Sequence, residues 1–221
     1  NINQVFIDCD IEIERLISRT FASGVELFSN KKLQSSSIII DLGFEKISMG
    51  LFKNFALVHS ITFPFGLNYI TKDISKVCSL NIDESENLRN NFDFLFKDNK
   101  NLFDENELLK KNYFVNSKFR KISKKLILDI IKARLDEIIY KLKKEIIAPG
   151  FSVSSGTNFL IVGEALKLIN IEKYFVNFLE TNKTLAKINY INNENESDKS
   201  FYACFGALKI IKDGWETEAI P

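Results

Sequence analysis

The sequence predicts an α/β fold with a smaller inserted subdomain, and three observations support this class. The run Ser37–Ile40 is rich in β-branched apolar residues, which is typical of a strand buried on both faces. Between Ser123 and Ile147, apolar residues recur every three or four positions, which indicates a long amphipathic helix. The run Phe159–Val162 predicts a second buried strand, so strands and helices alternate along the chain.

The amino-terminal part of the chain predicts a helix followed by three consecutive strands. From Val5 to Phe28 the apolar residues have helical spacing in places, which indicates a strand or turn that leads into a helix. The first strand continues through Leu42. Ile47–Phe52 and Phe55–Phe63 are also strand-like, and Lys53-Asn54 between them is typical of a hairpin turn.

Two shorter helices and a weakly patterned segment come next. Leu67–Val77 has its apolar residues three or four positions apart and predicts a helix. Asp83 is a candidate N-cap for a short helix through Leu88, because its side chain can accept hydrogen bonds from first-turn amides. Residues 90–118 have no strong period, and we expect strands and loops there.

The long helix should end at Pro149-Gly150, since proline and glycine commonly follow a helix terminus. After the second buried strand, Leu166–Leu179 predicts another helix. A polar insert, Asn192–Lys199, then precedes a last apolar segment, Tyr202–Ile211.

The composition limits the classes of function. The 221 residues include 30 basic and 29 acidic side chains and are 45% hydrophobic, which excludes a disordered chain and gives no overall field that would attract nucleic acid. No apolar run approaches the roughly 20 residues of a membrane-spanning helix. Cys9, Cys78 and Cys204 lack metal-ligand spacing, and we expect buried thiols. Because Met49 is the only methionine, we expect the chain to be part of a longer protein.

Two glycine-containing turns after buried strands are candidates for anion binding. Backbone amides in such turns can approach an anion closely, and an aspartate at a strand end can hold a hydrated Mg²⁺. Asp41-Leu42-Gly43 has this form, and Val162-Gly163-Glu164 has it without the aspartate. Taken alone, either one is more often an ordinary turn. His59 has no acid or nucleophile at catalytic spacing, so we interpret it as structural.

Three stretches, Glu14–Gly24, Pro64–Ile74 and Ile131–Ile138, are distributed over nearly the whole chain. In sequence and in order they resemble segments of the second half of the FtsA family, the bacterial cell-division homologues of actin and Hsp70. Glu14–Gly24 is similar to the family segment before its second phosphate loop. Pro64–Ile74 resembles the family pattern Pro-x-Gly-Gly followed by Ile-Thr-x-Asp-Ile. Ile131–Ile138 looks like the long-helix motif built around Ala-Arg-Leu and Glu-Ile.

The resemblance implies a partial chain that forms an actin-like (ribonuclease H-like) α/β lobe with a smaller inserted α+β subdomain. Residues 1–30 would be the end of the first actin-like subdomain. Residues 31–72 and 149–205 would form the second large subdomain, with residues 73–148 inserted in it. Residues 206–221 would be a helix that returns toward the missing first subdomain.

The resemblance also identifies nucleotide-binding positions: Asp41, Gly43, Gly66, Glu86, Arg89 and Gly163. Several family glycines beside them are replaced here, by Phe44, Glu45, Leu67 and Glu164. Side chains then stand where backbone amides would face the phosphates, and Glu45 brings like charge toward them. We therefore expect binding of ATP and Mg²⁺ to be weak or lost, with no catalytic residue and no enzyme activity. For Glu86 and Arg89 the alternative is a solvated helix face with an i,i+3 charge pair.

Arg134 is the strongest candidate for binding a partner. Because the apolar stripe buries the other face of its helix, we expect its guanidinium to project outward beside Lys132 and near Lys124 and Lys125. The alternative is a solvated face in a lysine-rich protein. By the resemblance, the family position that matches Arg134 contacts the acidic carboxy-terminal tail of FtsZ, the tubulin-like division protein, and an arginine fork suits carboxylates.

The resemblance therefore implies a non-catalytic cell-division adaptor. It would bind the FtsZ tail and, in the full-length protein, tether the division ring to the inner membrane through an amphipathic tail that is absent from this sequence. It would be cytoplasmic and peripheral on that membrane at midcell, could self-associate into actin-like filaments, and would not bind nucleic acid. The alternatives are a nucleotide-binding actin-family ATPase of another branch, such as a pilus-assembly homologue, and a degenerate actin-fold domain with an unknown partner.

Overall fold

The computed structural model describes residues 2–91, 107–147, 157–163, 175, 187–190 and 201–213. The chain divides into two compact units. One consists of Asn1–Ser29 and Asn193–Pro221, and the other of Asn30–Asn192. The subdomain boundaries implied by the family resemblance stay a prediction.

The larger unit is built on a five-stranded mixed sheet with the strand order β3-β2-β1-β4-β5. The strands are β1 (Ser37–Leu42), β2 (Ile47–Lys53), β3 (Ala56–Phe63), β4 (Asn158–Val162) and β5 (Lys187–Tyr190). β1, β2 and β3 form an antiparallel meander, and β4 pairs in parallel with β1 on one side and with β5 on the other. The predicted meander and both buried strands are confirmed, whereas the sequence analysis missed β5.

The burial of each strand agrees with its place in the sheet. β1 is central and is buried along nearly its whole length, which explains its continuous β-branched run. β3 lies at an edge of the sheet, and its residues alternate between exposed and half-buried. The hairpin turn between β2 and β3 is centred on Asn54 and Phe55, both with positive φ, one residue later than the predicted pair. Positive φ at both central residues is the geometry of a type I′ turn.

Four α-helices are described in this unit: α3 (Asn30–Gln34), α4 (Asn68–Cys78), α5 (Ile82–Asn91) and α6 (Lys124–Ile147). The described part of the other unit contains α1 (Ile2–Ile7), α2 (Arg19–Leu27) and α7 (Tyr202–Asp213). The predicted helices at α2, α4, α5 and α6 are therefore confirmed, and the predicted apolar segment Tyr202–Ile211 lies in α7. The segment before α2 contains α1 and a turn, so the strand considered there is not formed.

The N-cap of α5 differs from the prediction. Asn81 Oδ1 accepts a hydrogen bond from the Glu84 amide at 2.8 Å, and the Asn81 amide donates to Glu84 Oε2 at 3.2 Å. These reciprocal bonds form a capping box, so Asn81 caps the helix and the assignment of the cap to Asp83 is wrong.

The core of the larger unit lies between the sheet and α4, α5 and α6. Along α6 the residues Ile127, Leu128, Ile131, Leu135, Ile138, Ile139, Leu142 and Ile146 are buried. Leu126, a member of the predicted stripe, is exposed. Phe175 is helical and fully buried in the same core, but the rest of the predicted Leu166–Leu179 helix lies outside the described residues, as do Pro149-Gly150 and Asn192–Lys199.

In the smaller unit, α2 packs against α7. Ala22, Val25 and Ile210 are buried between them, and a Cβ on Gly206 would overlap the carbonyl oxygen of Ala22. Cys204 is on the opposite side of α7 from Gly206 and is exposed. Cys9, in the turn after α1, is exposed too, so the expectation of three buried thiols holds only for Cys78.

No helix within the described ranges combines the length and the apolar character that crossing a membrane requires.

Candidate functional site

The ends of the two central parallel strands bring the predicted glycine turns together. Asp41 pairs with Val162 in the β1–β4 ladder, so Gly163 follows directly beside Asp41. Gly163 has a φ of +101°, and a Cβ there would lie 2.6 Å from Asp41 Oδ1 and 2.8 Å from the Leu42 carbonyl oxygen. Both the backbone angle and this close approach require glycine.

The loop between β1 and β2 is hydrogen bonded to the start of α4. The Leu67 amide donates to the Gly43 carbonyl at 3.0 Å, and the Asn68 amide donates to the Phe44 carbonyl at 2.8 Å. Gly66 lies against the same two carbonyl oxygens, and a Cβ on Gly66 would come within 2.6 Å of that of Gly43. Asp41, Gly43, Gly66 and Gly163 therefore lie together at one end of the sheet.

Helix α5 reaches this region through Arg89. The Arg89 guanidinium carbon lies 5.1 Å from the centroid of the Phe44 ring, and its Nη2 is 3.3 Å from Glu86 Oε1. Arg89 is only 5% exposed. The alternative interpretation of Glu86 and Arg89 was an i,i+3 charge pair on a solvated helix face. The charge pair is present, but Arg89 is buried beneath Phe44 and so does not lie on a solvated face.

These residues do not fit the phosphates of a bound nucleotide. Amides at a helix N-terminus can also bind a phosphate, but those of Leu67 and Asn68 already donate to carbonyls of the loop. The Phe44 ring covers Arg89, the cation of the group, and the exposed Glu45 adds a negative charge next to it. The family resemblance implies ATP with Mg²⁺, but two amides at the start of α4 donate to the loop and Phe44 covers Arg89.

Arg134 is held in a network of contacts rather than projecting freely. Its Nε donates to Asp73 Oδ2 at 2.6 Å and its Nη2 donates to Asp73 Oδ1 at 2.9 Å, a bidentate pair between α6 and α4. Nη1 contacts Glu137 Oε2, and the guanidinium lies 5.5 Å from the Tyr69 ring centroid. The side chain is 23% exposed. Hydrogen bonding to Asp73 raises the pKa of Arg134 above its ordinary value. The expectation of an outward guanidinium is therefore wrong.

The four cations of the predicted partner site do not form one patch. At about 100° per residue, Lys132 lies about 160° around α6 from Arg134, and Lys125 lies on the opposite side. Lys124 contacts Glu107. The expectation that these lysines flank Arg134 is wrong because the helical period separates Lys132 and Lys125 from it, and Lys124 lies about 15 Å away along the helix. Whether Arg134 binds a partner stays a prediction.

The neighbours of Arg134 are instead residues that the sequence analysis did not select. We call this set the Arg134 cluster; besides Arg134 it contains Phe65, Tyr69, Lys72, Asp73, Glu137 and Lys141. Lys141 Nζ lies 2.7 Å from Glu137 Oε1 and 4.3 Å from the Phe65 ring centroid, and Lys72 Nζ lies 4.7 Å from the Tyr69 ring centroid. The Lys141 hydrogen bond lowers the pKa of Glu137. Arg134, Glu137 and Lys141 follow one another at spacings of three and four residues, which places them on one helical face. This spacing could have predicted that Glu137 pairs with both cations.

A lysine-rich loop that was not among the predicted sites precedes α6. It comprises residues 110–121, and we call it the basic loop. Its ends are held by an antiparallel pair: the Leu109 amide donates to the Ile122 carbonyl at 2.8 Å and the Lys124 amide donates to the Glu107 carbonyl at 2.8 Å. A single 3₁₀ turn, Lys111–Tyr113, lies within it.

The middle of the basic loop is attached to Glu84 at the start of α5. Glu84 Oε1 accepts hydrogen bonds from the amides of Asn116 and Ser117 at 2.7 and 2.8 Å, and Oε2 accepts one from the Ser117 hydroxyl. Burial on its own raises the pKa of Glu84, but the hydrogen bonds from Ser117, Asn116 and Asn81 outweigh it and lower the pKa to about 2. Glu84 is therefore a buried, ionised carboxylate that orders the loop.

Solved structures with this fold are actin-like proteins. MreB5 of Spiroplasma citri bound to ADP has a TM-score of 0.59 at 16% identity, covering 96% of this chain and 64% of that chain. A chain of the PilM–PilN type IV pilus biogenesis complex has a TM-score of 0.61 at 13% identity, covering 93% and 55%. The MamK double helical filament gives 0.60 at 16% identity, covering 92% and 59%. The predicted actin-like α/β fold is confirmed.

Sequence comparisons identify the family within this class. The family model of cell division protein FtsA matches residues 38–206. FtsA of Neisseria meningitidis is 24% identical over 151 residues, which cover 68% of this chain and 36% of the relative. FtsA of Bacillus subtilis is 23% identical over 181 residues, covering 82% and 40%. The chain belongs to the FtsA family of cell-division proteins, and it spans less than half the length of the curated relatives it matches.

Proposed function

We propose that this chain is part of a cell-division adaptor that binds the acidic carboxy-terminal tail of FtsZ at the Arg134 cluster. The observation that supports this most directly is the position of Arg134: it lies in the long-helix motif by which the chain resembles its family, and it is held in a defined orientation among cations and aromatic rings. The whole protein would tether the division ring to the cytoplasmic face of the inner membrane at midcell.

The geometry of the Arg134 cluster suits a carboxylate ligand. Asp73 fixes the guanidinium through two hydrogen bonds, while Glu137, which contacts Nη1, is more exposed than Arg134. A peptide carboxylate could replace Glu137 at Nη1 and leave the Asp73 pair in place. Lys72 is exposed beside it, and the half-buried rings of Phe65 and Tyr69 offer contacts for apolar residues of the peptide.

Fluorescence anisotropy with a labelled FtsZ tail peptide from the same organism tests this proposal. Arg134→Ala should weaken binding by about tenfold or more, as expected for loss of charge-assisted hydrogen bonds. Lys132→Ala is the matched control, because it removes a cation from the opposite side of the same helix and should change the affinity less than twofold. Equal binding by wild type and Arg134→Ala, or an equal loss in Lys132→Ala, would refute the assignment.

The membrane contact in this proposal is the amphipathic tail of the family. A fluorescent fusion to the whole reading frame that contains this chain should localise at midcell, and uniform cytoplasmic fluorescence would contradict the adaptor function. Self-association is a further expectation. One of the matching structures is a MamK double helical filament, and sedimentation of the whole protein on membranes would test for comparable assembly.

We also infer that the chain does not turn over ATP efficiently. The support comes from the loop at the end of β1, where Phe44 covers Arg89 and the α4 amides donate to loop carbonyls. The alternative is an actin-family ATPase of another branch; it is favoured by the matching structures of MreB5 with ADP and of MamK with AMPPNP. Calorimetry with Mg-ATP on the whole protein decides between them. Micromolar affinity, with hydrolysis that is lost in Asp41→Asn, would establish the alternative.

A further inference from the structure

The basic loop lies in the most positively charged stretch of the described chain. Between Leu108 and Leu128 the sequence has seven Lys or Arg residues and no Asp or Glu, although the whole chain is nearly neutral. Five of these cations are exposed on the basic loop: Lys110, Lys111, Lys118, Arg120 and Lys121. So many positive charges on about a dozen residues create a local positive potential, which is not evident from the net charge of the whole chain.

The basic loop is ordered by contacts at both its ends and its middle. The antiparallel pair at Leu109 and Ile122 closes its base, and Glu84 binds the amides of Asn116 and Ser117. Phe114 packs on the core and meets the Phe119 ring edge-on, with the centroids 5.2 Å apart. Because the backbone is already fixed, a ligand would bind without a large cost for ordering the loop.

The loop also presents apolar surface between its cations. Val115 is 74% exposed and Phe119 is 45% exposed. Lys111 Nζ lies 5.6 Å from the Phe119 ring centroid, so the ring is partly covered by the lysine and held against the domain. A ligand that carries both carboxylates and apolar side chains would match this pattern of cations around Val115 and Phe119.

A polypeptide fits this surface better than a membrane does. Within the described part of the loop, Val115 is the only apolar side chain that is more than half exposed. Inserting one valine into lipid would contribute less than about 2 kcal/mol, and interfacial membrane anchors use a whole apolar face. The cations are also mostly lysines without the arginine pairs that favour phosphate forks.

We propose that the basic loop is a docking surface for an acidic polypeptide segment, distinct from the Arg134 cluster. Lys124, bonded at the base of the loop, precedes Arg134 by ten residues, or about 15 Å along α6. The two surfaces can therefore be tested independently. The assignment rests on the loop itself and does not require that the FtsZ tail bind at Arg134.

The test uses the whole protein and a fluorescein-labelled decamer of alternating glutamate and leucine, with a glutamine and leucine decamer as the uncharged probe. The triple variant Lys118→Glu, Arg120→Glu, Lys121→Glu should weaken binding of the acidic decamer at least tenfold. The control triple Lys53→Glu, Lys76→Glu, Lys144→Glu makes the same change in net charge at exposed lysines elsewhere and should change it less than twofold.

Binding of the acidic decamer should also fall with added salt and should be insensitive to Arg134→Ala. The proposal fails if the decamer does not bind, if both triple variants weaken it equally, or if the uncharged probe binds as well. It fails too if vesicles of phosphatidylcholine with phosphatidylglycerol, or duplex DNA, bind the wild type more tightly than the peptide does. Loss of FtsZ tail binding in Arg134→Ala, with decamer binding lost only in the loop triple, would support both assignments separately.

Discussion

Replacing Glu84 by glutamine should destabilise the larger unit, because it removes the charge that three backbone amides and one hydroxyl share. In the native carboxylate, Oε1 accepts from Asn116 and Ser117, and Oε2 accepts from Asn81 and the Ser117 hydroxyl. The best orientation of the glutamine amide keeps its oxygen toward Asn116 and Ser117. Its NH₂ group then faces the Asn81 amide, so two donors meet, while the Ser117 hydroxyl can rotate to accept.

The expected cost follows from this count. The part-buried amide of Asn81 loses its acceptor, which costs about 1–3 kcal/mol, and the remaining bonds lose the assistance of a charge. Lowering the pKa of Glu84 from 4.5 to about 2 sets an upper value of roughly 3 kcal/mol by linkage. We therefore expect Glu84→Gln to lower the free energy of unfolding by about 2 kcal/mol at pH 7.

The stability difference between wild type and Glu84→Gln should depend on pH. A carboxylate whose pKa is lower in the folded state stabilises the fold fully above its unfolded pKa, and the contribution is lost as the pH falls toward the folded pKa. The difference between wild type and Glu84→Gln should thus be largest above about pH 5.5 and shrink toward pH 2.

Urea unfolding followed by circular dichroism at pH 7 and at pH 3 measures the difference. Asp83→Asn is the matched control: Asp83 is exposed, one residue away, and is the cap that the sequence predicted. It should cost less than about 0.5 kcal/mol. The reasoning is refuted if Asp83→Asn costs as much as Glu84→Gln, or if the effect of Glu84→Gln does not depend on pH.

Three further substitutions test other parts of the chain. Gly206→Ala places a methyl group against the Ala22 carbonyl and should lower the thermal stability by an amount equivalent to about 1–3 kcal/mol. The control Cys204→Ala, on the exposed side of α7, should change the melting temperature little. Equal melting temperatures of the two variants would contradict the packing of α2 on α7. Phe44→Gly should increase the affinity for fluorescent MANT-ATP at least fivefold, because it uncovers Arg89. The control Phe55→Gly, at the hairpin turn, should leave this affinity unchanged. Equal effects of the two variants would show that Phe44 does not block the loop. Asp73→Asn should weaken FtsZ tail binding more than Asp136→Asn does, because it removes the pair that orients Arg134; no difference would mean that this orientation is unimportant.

The α5 cap illustrates where sequence reasoning reaches its limit. The central strands and α6 could be predicted because their burial leaves a periodic pattern in the sequence. Asn81 and Asp83 are both good N-cap residues, and both are followed three residues later by a glutamate, so the local pattern cannot choose between them. The choice depends on Ser117, a residue 33 positions away, whose backbone and hydroxyl bind Glu84.

The orientation of Arg134 was predicted wrongly for the same physical reason, which is that it depends on a residue distant in the sequence. Its family motif could be recognised, but the Asp73 carboxylate that orients it is 61 residues away in the sequence. The positions predicted for nucleotide binding do come together, because β1 and β4 are parallel neighbours and their ends lie at the same edge of the sheet. The stacking of Phe44 on Arg89 is a tertiary contact between a loop and α5, and no local pattern reveals it.

The chain is nearly neutral as a whole, but its basic residues are concentrated in one segment, and this concentration affects the binding of charged partners. The whole-chain balance of 30 basic and 29 acidic residues excludes an attractive field from the chain as a whole. Seven of the basic residues lie between Leu108 and Leu128, which leaves 23 basic against 29 acidic residues elsewhere in the chain. An acidic partner is thus attracted to one segment and repelled by the rest, which favours a defined orientation more than a high overall affinity. Added salt should therefore weaken docking at the basic loop and relax its specificity together, because both arise from the same separation of charge.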